Sequence, residues 1–564
     1  MKNTILLIVL LLSASIMTAQ VKSTRFRGKD AFKSFPEMRH FKSNHVSTKK
    51  MPKVDTESLL KEDQANEGLD IPFRFGNGFD VNYTLNDGTW EEQDSVRIWS
   101  LKITSPGAYS LNFVFDKLHL STGAELYIFN SDSSMIYGPV TEEENIEKGT
   151  FLTDLISGDE VIIQLSEPAN SKENSDLRIS RVVHAYKNLF ISDAGIATTS
   201  AVYNCYNPIM LYPEWADESD AVAVVIINNG TALCTGSLLN NTAQDYKPYF
   251  LTAFHCIDTS PFDGFISAAE QSVAENWAFR FQYKTADAST YITYNQAYFR
   301  AAWQNSDFAL MELKQSVTNN RITFLGWNKA EAVNGQATCI HHPGGDFMKI
   351  SFANNSPTSN TATIPWVADT NGQQILQANT HWIVKFDNGG IEPGSSGSPL
   401  FDSNKYVIGQ LHGGNIGCPP NLIDYFGRFY NSWSGGDTQA TQLSHWLDPL
   451  KTGAITTNTI RYPSISGPTI LCPMTNVTYT VAGKMDNNPV TWTYGSNFTF
   501  LSASGNSITL RNTGTTFQST TIGASYSGIK LGKTASCFPH WDTQKSFFCR
   551  NNGTGSIGDF FRPS

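Results

Sequence analysis

Short segments that alternate apolar and polar residues, separated by turn signals, recur along this chain from about residue 70. Residues 95–103 read SVRIWSLKI and residues 108–115 read AYSLNFVF, with further short runs at 125–129 and 160–165. Ser105-Pro106-Gly107 and Ser157-Gly158-Asp159 divide them. A side-chain period of two turns one face of each run toward a core, and several such runs in succession predict a β-sandwich. The sandwich should end near His184, Ala185 and Tyr186, and the small polar stretch 192–200 (SDAGIATTS) then reads as a linker. Ahead of it, residues 20–53 carry ten Lys or Arg against Asp30 and Glu37, with little periodicity, which predicts a mobile basic arm.

The 564 residues suggest three or four domains. Charged residues make up 16% and aromatics 12%, a composition that excludes a disordered chain. A net charge of −10 argues against a general nucleic-acid binder. Lys2, the apolar run at 5–12 and Met17-Thr18-Ala19 form the three regions of a secretory signal peptide over residues 1–19, giving a start at Gln20. No later segment reaches about 18 consecutive apolar residues, so no membrane span is expected and the localisation is extracellular or at the cell surface. Export permits disulfides. The eight cysteines all lie at or after Cys205 and none forms a CxxC pair, which disfavours a zinc ribbon.

Residues 200–455 form the largest unit. Apolar runs at 221–227, 249–254, 307–313, 406–411 and 425–430 read as strands. Leu443, Trp446, Leu447 and Leu450 recur with helical spacing and predict a closing helix. This unit holds 21 acidic and 12 basic residues, and so nearly all of the chain's net negative charge. After about residue 460 the chain turns rich in Ser, Thr, Asn and Gly, with strand-like TYTV at 478–481 and VTWTY at 490–494. Residues 468–473 resemble the opening of Ig-like modules, so residues 462–564 are expected to be an Ig-like accessory region. No structure is expected from Cys537 onward.

Three segments of the middle unit carry chemistry: LTAFHC at 251–256, SDFAL at 306–310 and EPGSSGSPL at 392–400. Singly, each has an ordinary structural explanation. Together they place His255, Asp307 and Ser396 in one unit. A serine hydroxyl is a weak nucleophile until a base takes its proton. His255 can take it and return it to the leaving amine, and Asp307 can fix the imidazole tautomer. The glycines let the chain turn so that the amides of Gly394 and Ser396 face a developing oxyanion.

These segments resemble those of trypsin-like serine proteases, and most closely the secreted bacterial lysyl endopeptidases. The resemblance continues through CTGSLLNNT at 234–242, YFLTA at 249–253, IHHP at 340–343, QLHGG at 410–414 and 443–454, and so covers residues 200–455. It implies a chymotrypsin-like double β-barrel with a C-terminal helix, preceded by a propeptide over residues 20–199. It also implies cleavage after lysine without a cofactor or metal. The implied partners are lysine-containing protein and peptide substrates and the chain's own propeptide. It implies the disulfides Cys234–Cys256 and Cys205–Cys418, and leaves Cys339 a buried thiol. Cys472 could pair with Cys537 or Cys549.

Two departures from trypsin stand out. Trypsin's specificity aspartate falls at Gly390, and the acid that captures a new N-terminus falls at Ser395. In the lysyl endopeptidases the specificity carboxylate comes from a later strand, which here supplies Asp424. His412, with Gly413 beside it, and Trp366 fall where that family has a His and a Trp next to the active site. His341 and His342 read as structural. The maturation site is expected between Lys187 and Ser200, with Lys187 the point of self-cleavage. Competing readings are the same chemistry with Arg or mixed specificity, and a catalytically inactive β-rich adhesin.

Overall fold

The structure, a computed structural model, describes residues 21–26, 46–66, 71–93, 95–132, 134–190, 205–259, 263–285, 290–366, 374–419, 422–514 and 518–537. The expected signal peptide (1–19), the linker (192–200) and the tail beyond 537, with Cys549, lie outside the described residues. The chain divides into two compact units, with the boundary between Ile460 and Arg461.

The expected N-terminal sandwich is present. One sheet carries, in order, Ser47–Lys50, Val96–Thr104, Glu160–Pro168, Glu125–Asn130 and Met135–Val140. The other centres on Ser110–His119 and Asp176–Ala185. Trp99, Leu101, Ile103, Phe113, Phe115, Ile128, Ile163 and Ile179 fill the space between them. Each such buried side chain contributes about 1.5–3 kcal/mol.

The basic arm departs from expectation in its described stretches, 21–26 and 46–53; residues 27–45 lie outside the described residues. Val21–Arg25 is a strand paired on one side with Met135–Val140 and on the other with Thr290–Asn295. Ser47–Lys50 runs parallel to Val96–Thr104. Val21 and Ser23 are buried while Lys22 between them is exposed, so the arm does alternate. Five residues are too short a run for that period to register against the basic composition. Through Val21–Arg25 the sandwich sheet continues into the next domain as one 15-stranded sheet.

The middle domain is built on two antiparallel sheets. The first runs Thr290–Asn295, Ala278–Phe281, Val222–Ile227, Ala232–Leu239, Tyr249–Ala253, Phe308–Leu313, Ala297–Trp303. Val222–Ile227 and Ala232–Leu239 are buried on both faces, which explains their unbroken apolar texture. The second has eight strands, ordered Asn207–Pro208, Lys349–Ala353, Ala337–His341, Pro399–Phe401, Val407–Gly414, Asp424–Arg428, His381–Val384, Thr358–Ser359. This is the all-β arrangement expected, built on two antiparallel sheets. Cys234–Cys256 ties the strand Ala232–Leu239 to the short helical turn after Tyr249–Ala253, and Cys205–Cys418 ties the domain's start to the second sheet. Cys339 is a buried free thiol. The closing helix is a single turn, Ser444–Leu447, with Leu443 and Leu447 buried and Leu450 exposed. Pro449 excludes the helical conformation for the residue before it and ends the turn there.

The C-terminal unit, taken by itself, packs two four-stranded sheets around Tyr479, Val481, Leu510 and Ile522. Cys472 is disulfide-bonded. Among the described residues no helix is long and apolar enough to cross a membrane.

Candidate active site

His255 and Asp307 come from the first sheet. Tyr249–Ala253 delivers His255 into a short helical turn, and Asp307 caps the turn Gln304–Ser306 before the neighbouring strand begins. Asp307 sits at φ 51°, a left-handed conformation that Asp tolerates better than most residues. That turn aims its carboxylate back at His255. The Asp307 oxygens lie 3.1 and 3.0 Å from His255 Nδ1, and Oδ1 also accepts the His255 backbone amide at 3.0 Å. Phe254 N donates to the Asp307 carbonyl at 2.9 Å, so backbone and side chain share one clasp. Both residues are buried. With Nδ1–H donated to the carboxylate, the imidazole is held in the tautomer whose Nε2 is basic.

Ser396 comes from the second sheet and is half-buried. Its loop is strapped to the first sheet by the strand that follows Cys234. Thr235 N donates to the Ser396 carbonyl at 2.8 Å, and Thr235 Oγ1 donates to the Gly394 carbonyl at 2.7 Å. Gly394 at φ 96° and Gly397 at φ 84° take conformations that need glycine. A Cβ on Gly397 would lie 2.3 Å from Thr252 Oγ1 and 2.8 Å from Ala253 N, so the nucleophile loop packs directly against the strand that leads to His255. Among the described residues, the amides of Gly394 and Ser396 donate to no protein acceptor.

His412 stacks on His255, with ring centroids 5.6 Å apart and planes at 22°. Trp366 covers His412 at 4.6 Å and meets Tyr425 edge-on at 5.3 Å. A Cβ on Gly413 would come within 3.0 Å of the Trp366 ring, so that glycine admits the indole. Behind His412 lies His381, which the sequence reading missed. Thr380 Oγ1 donates to the Gln377 carbonyl at 2.7 Å and so accepts from His381 Nδ1 at 2.8 Å. His381 Nε2 is then the acceptor for His412 Nδ1 at 2.9 Å. His381 and His412 are 31 positions apart in sequence and are brought together by the pairing of both their strands with Asp424–Arg428.

Asp424 opens a strand beside Val407–Gly414 and is buried. Its Oδ1 has no hydrogen-bond partner among the described residues. Burial drives its pKa well above the usual carboxylate range, and the Asn415 backbone offsets only part of that. Gly414, directly opposite, is a glycine for a reason: a Cβ there would lie 2.3 Å from Asp424 Oδ1. Arg428 makes its contacts elsewhere, to Ser359, Asn379 and Glu331. At Gly390 a Cβ would stand 2.1 Å from the Gly417 carbonyl oxygen, so this backbone has no room for trypsin's aspartate.

His255, Asp307 and His412 each bring a nitrogen or carboxylate oxygen within 4.8 Å of the others, a set that could hold a metal ion. Near-parallel stacked rings aim their lone pairs side by side rather than at one point, and His255 Nδ1 already serves Asp307. The arrangement suits proton transfer better than coordination.

Residues 203–427 match the family described as lysyl endopeptidase, C-terminal domain. The lysyl endopeptidase of Pseudomonas aeruginosa is 27% identical over 321 residues, spanning 52% of this chain and 63% of that enzyme. Among solved structures, a Glu endopeptidase in complex with MPD aligns with TM-score 0.25 and 15% identity over 37% of this chain and 85% of its own. A serine endoprotease from Yersinia pestis aligns with TM-score 0.24 and 14% identity over 56% of this chain and 93% of its own.

Proposed function

We propose that this chain, which matches the lysyl endopeptidase family model over residues 203–427, is a secreted serine endopeptidase that cuts on the carboxyl side of lysine. The observation that carries the reading is the buried two-oxygen clasp of Asp307 on His255, set against the glycine-flanked loop of Ser396. Ser396 Oγ attacks the scissile carbonyl while His255 Nε2 takes its proton. The oxyanion is received by the amides of Gly394 and Ser396. Collapse expels the amine with the proton from His255, leaving an acyl-enzyme on Ser396 Oγ. Water, deprotonated by the same imidazole, releases the acid and restores the serine. Asp307 keeps the tautomer and balances the transient imidazolium. No cofactor enters.

Asp424 supports lysine as the preferred residue. A buried carboxylate with an unpartnered oxygen is costly alone and favourable once an ammonium reaches it. A compact ammonium suits such a point acceptor better than a planar guanidinium. On this reading residues 20–199 act as a propeptide and the C-terminal sandwich as an Ig-like accessory. Ser396→Ala should lower kcat roughly 10⁴- to 10⁶-fold while leaving the melting temperature unchanged. Substantial activity in a clean Ser396→Ala preparation would overturn the triad, and a survey of cleavage sites in a denatured protein mixture decides Lys against Arg.

A further inference from the structure

The nucleophile loop of a trypsin-like enzyme needs something to hold it, and here the residue before the nucleophile is Ser395, not an acid. Ser395 is fully buried, and its hydroxyl lies 2.8 Å from His341 Nδ1. His341, also fully buried, places Nε2 3.1 Å from Ser351 Oγ. Ser351 Oγ donates to the Gly390 carbonyl at 3.0 Å and accepts the Gly390 amide at 3.0 Å. These partners fix every proton. Ser351 spends its own on Gly390, so it must accept from His341 Nε2–H. His341 Nδ1 is then bare, and Ser395 donates to it. The chain of bonds runs in one direction, from Ser395 to Gly390, and is satisfied only by a neutral imidazole. Tyr206, next to the Cys205–Cys418 bridge, closes the hub: its ring meets His341 edge-on at 5.9 Å and its hydroxyl donates to the Ile391 carbonyl at 2.8 Å.

We propose that His341 is a positioning residue for catalysis, locking the nucleophile loop through Ser395 by neutral hydrogen bonds in place of a charge pair with a new N-terminus. The pin holds both ends of the loop: Ser395 abuts the two amides that face the oxyanion, and Gly390 begins the segment that leads into it. Burial, then the adjacent His342 and the positive charge of Lys349, push the His341 pKa down to about 3, so the pin stays neutral wherever the enzyme works. A loop held this way has no group that titrates with a free α-amine, whose pKa is about 7.7–8.0. The proposal rests on the endopeptidase reading above.

The test is steady-state kinetics on a lysyl ester and a lysyl peptide, with a nitrogen-NMR readout of His341 that does not depend on activity. Ser395→Ala removes one oxygen and should lower kcat about 10- to 100-fold with KM changed less than about threefold, the pattern of a misplaced oxyanion donor. His341→Gln, which keeps one donor and one acceptor, should retain more activity than His341→Leu. Wild-type kcat should stay flat through the α-amine titration range. NMR should show His341 protonated at Nε2 and bare at Nδ1 from pH 5 to 9. Wild-type kcat in Ser395→Ala, or a His341 protonated at Nδ1, overturns the pin. If His341→Leu does not fold, Ser395→Ala still decides. A folded wild-type chain without any hydrolysis would overturn the endopeptidase reading instead, and the NMR tautomer would still judge the pin.

Discussion

If Asp424 receives the lysine ammonium as proposed, one carboxyl group couples specificity to stability. Its folded pKa is raised by burial above the ordinary value of about 3.9, so the folded chain holds this proton more tightly than the unfolded one. The contribution to stability is then greatest below about pH 4 and is lost as pH rises toward the folded pKa. Asp424→Asn does not titrate. It should melt higher than wild type at pH 7, with the gap closing near pH 3.5, while kcat/KM for lysyl peptides falls roughly 30- to several-thousand-fold. Hydrolysis of a neutral reactive ester should hardly change. Equal melting gaps at both pH values, or an unaltered lysine preference, would remove Asp424 from the pocket. At this scale the candidate residues His255, Asp307 and Ser396 were readable because each sits in a recognisable local run. Their supports were not. His381, Ser351 and Gly414 act through partners that only the sheet register brings near, and no spacing in the chain announces them.

Elements decide what cutting the chain can do. Lys187, expected as the point of self-cleavage, is held by Asp63 at 2.7 Å, with its side chain 12% exposed. Its amide donates to the Phe75 carbonyl, and its ammonium sits over the Phe73 ring at 4.5 Å. A protease needs several extended residues in its cleft, and this bond lies within packed structure. Between residues 188 and 204 there is no Lys or Arg at all. An enzyme that cuts after lysine therefore cannot process that stretch itself. N-terminal sequencing should place the active form's start within residues 191–204, with Ser396→Ala cut at the same bond by an added protease and Lys187→Gln without effect. A start at Asn188 would refute this. The N-terminal sandwich strands were legible from alternation and turn residues, and five strand runs of the middle domain from their apolar texture, while most strands of its second sheet were not. The strand at Val21–Arg25 was not, since its order comes from two neighbours that lie more than a hundred residues away. The Cys234–Cys256 bridge, closing a 22-residue separation next to His255, should contribute about 3 kcal/mol on the chain-entropy model.

Across the whole molecule, a buried ion pair joins the N-terminal sandwich to the middle domain. Arg280 Nε donates to Asp154 Oδ1 at 2.7 Å, and Arg280 Nη2 reaches the same oxygen. Ser23 and Thr293 satisfy the other carboxylate oxygen at 2.7 and 3.2 Å. Both ions are fully buried, and Tyr283 and Tyr291 flank the guanidinium at 5.0 and 5.6 Å. Phe75, Leu155, Leu189, Val224, Leu233 and Tyr291 form a shared apolar cluster around it. Removing one partner strands a charge, which typically costs about 3–5 kcal/mol. Asp154→Ala in the full chain should lower the melting temperature sharply, and the double variant Asp154→Leu with Arg280→Met should recover much of the loss. A single variant as stable as wild type would show that the pair is solvated. No sequence pattern foretells a pair 126 residues apart, because each member looks like an ordinary surface charge until the domains close over it.

The strand Val21–Arg25 also caps something. Its partner Thr290–Asn295 reads TYITYN, uncharged and rich in aromatic and β-branched residues. With Val21–Arg25 in place this strand is interior to a sheet. Taken away, it becomes a bare rim with a row of unpaired amides and carbonyls, the kind of segment that recruits a strand from any neighbouring chain. A middle domain stripped of its N-terminal partner should therefore be prone to self-association, clumping at concentrations where the intact chain stays dispersed.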